Sequence, residues 1–103
     1  MGMHGLNDEL VEQMKAVFQN HPSVQSVVLF GSRAMQKYRI GSDIDLAIKG
    51  PALTMWELLD LQIELEELGL LYKFDVKDFK KIKNPDLIHH IQRVGREIYQ
   101  VAC

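Results

Sequence analysis

Apolar positions recur along this chain with two different periods, and the changes of period divide it into elements. From Asp8 to Gln19, the residues Leu10, Val11, Met14, Val17 and Phe18 form one helical stripe. Asn7 is placed to cap its start, and Asn20-His21-Pro22 to stop it. Val24 to Phe30 is a continuous apolar, β-branched run ending at Gly31, which predicts a largely buried strand. Ser32 to about Tyr38 fits a short helix or turn, and Gly41-Ser42 leads into a second strand, Asp43 to Ile48, closed by Gly50-Pro51. Thr54 and Glu57 form a T-x-x-E capping box at the head of a helix running to about Leu68, with Gly69 as its stop. Lys73 to Phe79 alternates polar and apolar side chains and predicts a third strand. Asn84-Pro85 opens a final helix carrying Leu87, Ile88, Ile91, Val94 and Ile98. The order αβ(α)βαβα predicts an α/β (α+β) fold, a small mixed β-sheet covered by helices.

The helix from Thr54 is apolar on two sides. A step of about 100° per residue puts Trp56, Leu59 and Ile63 together, nearly opposite Leu58, Leu61, Leu65 and Leu68. One stripe suits the chain's own sheet. The other calls for a second subunit, so an oligomeric or heteromeric contact is expected here.

Composition narrows the class. The 103 residues are expected to form a single domain spanning 1–103, with 47% hydrophobic and 25% charged residues supporting one ordinary core. A net charge of −2 argues against an extended nucleic-acid footprint, which needs a basic surplus. Cys103 is the single cysteine, so no disulfide forms within the chain. Met1 to Asn7 holds no apolar signal region, and no stretch approaches the ~20 apolar residues of a membrane span; a cytoplasmic location is expected.

The candidate chemistry lies between the first two strands. Asp43 and Asp45 alternate with Ile44, Leu46 and Ile48, so a strand that buries its apolar side turns both carboxylates to the other face. Asp75, bracketed by Phe74 and Val76, has the same setting on the third strand. Asp78 is its rival as a third carboxylate, but strict alternation puts it on the Phe74/Val76 side. Three carboxylates meeting on one patch of sheet repel one another unless a cation joins them. The cluster therefore makes physical sense mainly as a Mg²⁺ site with two ions, of the kind that serves phosphoryl-type transfer. Gly31 allows close backbone approach, Ser32 offers a hydroxyl and an N–H where anions are favoured, and Arg33 is a guanidinium within reach of phosphate or the turn.

Gly31-Ser32-Arg33-Ala34 followed by Ser42-Asp43-Ile44-Asp45-Leu46, with ten residues between Ser32 and Asp43, resembles the minimal nucleotidyltransferases of the polymerase-beta superfamily. Their pattern is G-S, a spacer of about that length, D-x-D and a later aspartate. The resemblance implies that Asp43, Asp45 and Asp75 are catalytic metal ligands, that Gly31 and Ser32 contact nucleotide phosphates, and that Arg33 belongs to the same nucleotide-binding segment. It also implies Mg²⁺ as cofactor, ATP or another NTP as donor, and a helical HEPN-domain protein as partner. In such toxin–antitoxin pairs the nucleotidyltransferase is the antitoxin and moves AMP to a tyrosine hydroxyl of the HEPN ribonuclease. Many members read G-S-R-A-R-G, where this chain has Met35 and Gln36 in the last two places, which bears on nucleotide affinity. Two alternatives stay open: an inactive antitoxin that neutralises its partner by contact, and transfer to a small molecule.

Other conspicuous residues have plainer expectations. His89 and His90 diverge by about 100° on a helix and cannot chelate together, so both are assigned to surface or interface. Trp56 is assigned to core or interface. Lys80, Lys81 and Lys83 are assigned to a solvated loop.

Overall fold

The structure, a computed structural model, describes residues 8–31, 43–68 and 73–101. The expected Asn7 cap, the element following Ser32, the Met35-Gln36 departure and the Gly69 stop lie outside the described residues.

The elements are α1 (Asp8–Gln19), β1 (Ser26–Phe30), β2 (Ile44–Lys49), α2 (Met55–Glu66), β3 (Phe74–Asp78), a 3-10 turn (Phe79–Lys81), α3 (Pro85–Val94) and β4 (Arg96–Gln100). The four strands form one mixed sheet in the order β3-β2-β1-β4. β1 runs antiparallel to both β2 and β4, whereas β2 and β3 are parallel. None of the described helices is long and apolar enough to cross a membrane.

Alternation along the central strands sorts side chains onto two faces. Val27 and Leu29 of β1 join Ile44, Leu46 and Ile48 of β2 in the main core, with Met14 and Phe18 of α1 and Leu61 and Leu65 of α2. Each fully buried aliphatic side chain of this kind contributes about 1.5–3 kcal/mol of transfer free energy. On the other face Val28, Phe30 and Ala47 pack against Ile91 of α3. The central strands are therefore covered on both sides, which is why the Val24–Phe30 run reads as almost wholly apolar.

Local signals start the helices as expected. Thr54 Oγ1 accepts the Glu57 N–H at 3.2 Å, and Asn84 Oδ1 accepts the Asp86 N–H at 2.9 Å with Pro85 in the first turn. His21 Nε2 lies 2.6 Å from Glu64 Oε2 and ties the end of α1 to α2.

One expectation is corrected at the C-terminal end. Ile98 is not in the final helix; α3 stops at Val94, and Ile98 is the buried residue of a fourth strand. Gly95 makes the switch possible, because a Cβ there would run into the Ile91 carbonyl and the Val28 side chain. With its N–H bonded to Ile91 O at 2.9 Å, Gly95 turns the chain from helix to strand without a connecting loop.

The outer edge of β3 has a side-chain partner. Gln62 of α2 donates from Nε2 to the Phe74 carbonyl and accepts the Val76 N–H at Oε1. One amide thus does for β3 what a neighbouring strand would do, on both sides of Asp75.

Candidate active site

Asp45 and Asp75 are Cα partners in the parallel β2–β3 register. Neighbouring strands lie about 4.8 Å apart, so two acidic residues in register must share one patch of surface. Alternation puts this patch on the α3 face, since Phe30 opposite Asp45 and Ala47 two residues on both face that way. The expected side for Asp45 and Asp75 is the observed one.

Burial pushes the Asp45 carboxyl up from 3.8 to about 6; like-charge repulsion from Asp75 and then Asp43 adds to the rise, and Lys77 opposes it. Asp43 stands just before β2, exposed to solvent, near enough to act on Asp45 through its field. Lys77 Nζ is 3.6 Å from Asp75 Oδ1, with both side chains about 40–45% exposed, so the pair is a weak surface contact. Asp78 plays a different part. It is 5% exposed, accepts the Lys80 N–H, and pairs with Lys80 Nζ at 2.7 Å. Alternation correctly separated it from Asp75.

Gly31 meets this patch from the end of β1. Its φ is +76°, a conformation that side chains with a Cβ rarely adopt, and a Cβ built on it would strike the Asp45 carboxylate. The missing side chain therefore makes room for Asp45. Ser32 and Arg33 follow directly in sequence and lie outside the described residues.

Among the described residues, no three His, Cys, Asp or Glu side chains are gathered closely enough to hold a metal ion unaided. The donor set still fits a hard cation. Mg²⁺ is commonly held by one or two carboxylates and completed by water and substrate phosphates. Asp45 and Asp75 are two such carboxylates, and a cation would offset the like-charge repulsion that adds to burial in raising Asp45.

Two residues stand differently from their sequence-based assignment, His90 at the site and Lys80 beside Asp78 away from it. His90 is half-buried against the active face rather than at the surface: its Nε2 accepts the Gly31 N–H at 3.2 Å and its ring stands edge-on to Phe30. The signal was available, because Leu87, His90, Ile91 and Val94 share one helical stripe. Lys80 is not a loose loop residue, since its Nζ also donates to the Leu53 carbonyl at 2.7 Å. Lys81 and Lys83, with Lys77, line a groove of about 410 Å³ beside β3.

The described helices and the four-stranded mixed sheet form a polymerase-beta-type nucleotidyltransferase fold. The sequence model of the polymerase beta nucleotidyltransferase family matches residues 12–102, and the chain belongs to that family. None of the curated proteins matches the chain. Among solved structures, it is similar to a toxin–antitoxin complex with AMP-PNP, at 23% identity and a TM-score of 0.73 over 93% of this chain and 75% of that one. It is similar to a chain of the tri-AMPylated Shewanella oneidensis HEPN toxin in complex with MNT antitoxin, at 19% identity and a TM-score of 0.70 over 93% and 74%. A protein solved as a minimal nucleotidyltransferase shares 25% identity, with a TM-score of 0.67 over 86% of this chain and 92% of that one.

Proposed function

We propose that this nucleotidyltransferase moves AMP from ATP to a hydroxyl group, a tyrosine of a HEPN-type partner, and silences that partner as its antitoxin. The observation that carries the reading is the in-register Asp45–Asp75 pair, with Gly31 alongside the Asp45 carboxylate. Support for the donor comes from the similar complex with AMP-PNP, and for the acceptor from the similar complex whose HEPN toxin is tri-AMPylated.

In this reaction the acceptor oxygen attacks the α-phosphorus of ATP. The bond from that phosphorus to the bridging oxygen breaks, pyrophosphate leaves, and the hydroxyl proton passes to solvent or a carboxylate. Asp45 and Asp75, with Asp43, are the residues that would hold Mg²⁺, which when bound supplies charge neutralisation for the phosphates. The chain's own part is positioning: the sheet register sets the spacing of the carboxylates, and Gly31 brings the backbone turn alongside.

The partner has a candidate surface. Leu61 and Leu65 of α2 are buried in the core, whereas Trp56, Leu59 and Ile63 are 73%, 49% and 56% exposed, so the second apolar stripe of α2 faces outward. Such a contiguous exposed stripe marks an interaction site. It also favours the second reading, neutralisation by contact alone.

Intact mass spectrometry separates the two. The protein is incubated with its HEPN-type partner, ATP and Mg²⁺, and the partner is weighed. A gain of one or more AMP units, lost with Asp45→Asn, is the expected result. An unchanged partner mass, with neutralisation surviving loss of both Asp43 and Asp45, would establish contact instead.

A further inference from the structure

The Gly31 amide is held from an element that lies 59 residues away in sequence. α3 packs on the acidic face through Ile91 and Leu87, and that packing delivers the adjacent His90 ring to the end of β1. The ring sits edge-on to Phe30, with centroids 6.3 Å apart, and its Nε2 lies 3.2 Å from Gly31 N. Gly31 is thus fixed twice. The Asp45 carboxylate fills the space that a Cβ on Gly31 would need, and the Gly31 N–H donates to the imidazole.

The chemistry of this contact is specific. An N–H can be accepted by Nε2 only if that nitrogen carries a lone pair, which requires a neutral ring with its proton on Nδ1. It also spends the Gly31 donor inside the protein, so that this amide is not one of those offered to an anion. A glycine at positive φ has wide conformational freedom, and a bend built on one needs an outside hold to keep a single orientation.

We propose that His90 is a positioning residue for the nucleotide site: by accepting the Gly31 amide it holds the glycine turn against Asp45 and so sets nucleotide affinity. His90 touches no phosphate in this scheme; it acts through Gly31. The proposal rests on the nucleotide-transfer reading for its consequence, although the hold on Gly31 is measurable without any nucleotide.

Three variants separate the acceptor from the ring. His90→Phe keeps the bulk against Phe30 and removes the acceptor. His90→Gln places an amide oxygen near the position of Nε2, and His90→Ala removes both. In the unaltered, isotope-labelled protein, long-range imidazole nitrogen spectra should show a neutral ring with Nε2 unprotonated, and exchange of the Gly31 amide should be slow. In His90→Phe that exchange should speed up about tenfold or more, with the melting transition kept, and His90→Gln should restore it. Affinity for AMP-PNP with Mg²⁺ should fall about tenfold in His90→Phe, the equivalent of one lost hydrogen bond, and recover in His90→Gln.

Equal Gly31 exchange in the unaltered protein and His90→Phe would overturn the proposal. So would unchanged AMP-PNP affinity in His90→Phe, or equal damage from Phe and Gln, which would assign His90 to packing alone. If the unaltered protein bound no AMP-PNP, the transfer reading and the affinity half of the proposal would both fall. The exchange data would still decide whether His90 holds Gly31.

Discussion

Asp45 and Asp75 face each other across the only parallel strand pair of the described sheet, and Asp45 is driven to hold a proton up to about pH 6. An unrestrained aspartate loses its proton near 3.8, so between these values the folded state binds more protons than the unfolded state. The stability contributed by this group is therefore present at low pH and lost as the pH rises through about 6. Asp45→Asn removes that loss. It should melt higher than the parent at pH 7.5 in EDTA and not at pH 4, by about 1 kcal/mol once solvent screening is allowed for. The same substitution should cut AMP transfer at least about a hundredfold.

Magnesium should reverse the sign of the Asp45 effect. Binding requires the ionised carboxylate, so it displaces the proton that the metal-free site retains below about pH 6. Added Mg²⁺ should raise the melting temperature of the parent at pH 7.5, do so less at pH 5.5, and leave Asp45→Asn little changed. Calorimetry in two buffers of different ionisation enthalpy should register proton release at the lower pH.

Gly31→Ala should damage function more than stability. The positive φ costs a Cβ-bearing residue about 1–2 kcal/mol, and the added methyl displaces the Asp45 carboxylate. Denaturant unfolding should show a loss of that order. AMP transfer should fall by at least about tenfold beyond what the unfolded fraction explains.

Gln62→Ala leaves the Phe74 carbonyl and Val76 amide without their partner and should cost about 1–3 kcal/mol in denaturant unfolding. Because these groups flank Asp75, transfer should weaken at temperatures where the variant is still folded.

Trp56→Glu tests the outward stripe of α2. At 73% exposure the indole supports little of the core, so stability should change by less than about 0.5 kcal/mol. Affinity for the HEPN-type partner should fall at least about tenfold, as read by surface-based binding kinetics.

Much of this arrangement was legible in the chain itself, for identifiable reasons. Period-two alternation put Asp75 with Asp45 and set Asp78 apart, because alternation is a geometric property of any strand. Thr54 and Asn84 announced their helices because capping is local chemistry. β4 was missed because Ile98 falls seven residues after Ile91 and so extends a helical stripe, while one glycine, pressed between Ile91 and Val28, does the work of a loop. The helical stripe of Leu87, Ile91 and Val94 could have placed His90 on the packed side of α3, but its partner, the backbone amide of Gly31, is encoded by no pairwise pattern in the sequence. The bracket of Gln62 around Asp75 was invisible for the same reason.

That bracket also bears on how copies of this chain can associate. A strand at the rim of a sheet is ordinarily a template on which another molecule can crystallise its own backbone, the first step towards fibrils. Here the β3 rim is sealed at its centre by a side chain from the same molecule. Pairing at that rim would have to displace Gln62, which keeps the margin beside Asp75 from recruiting a second copy.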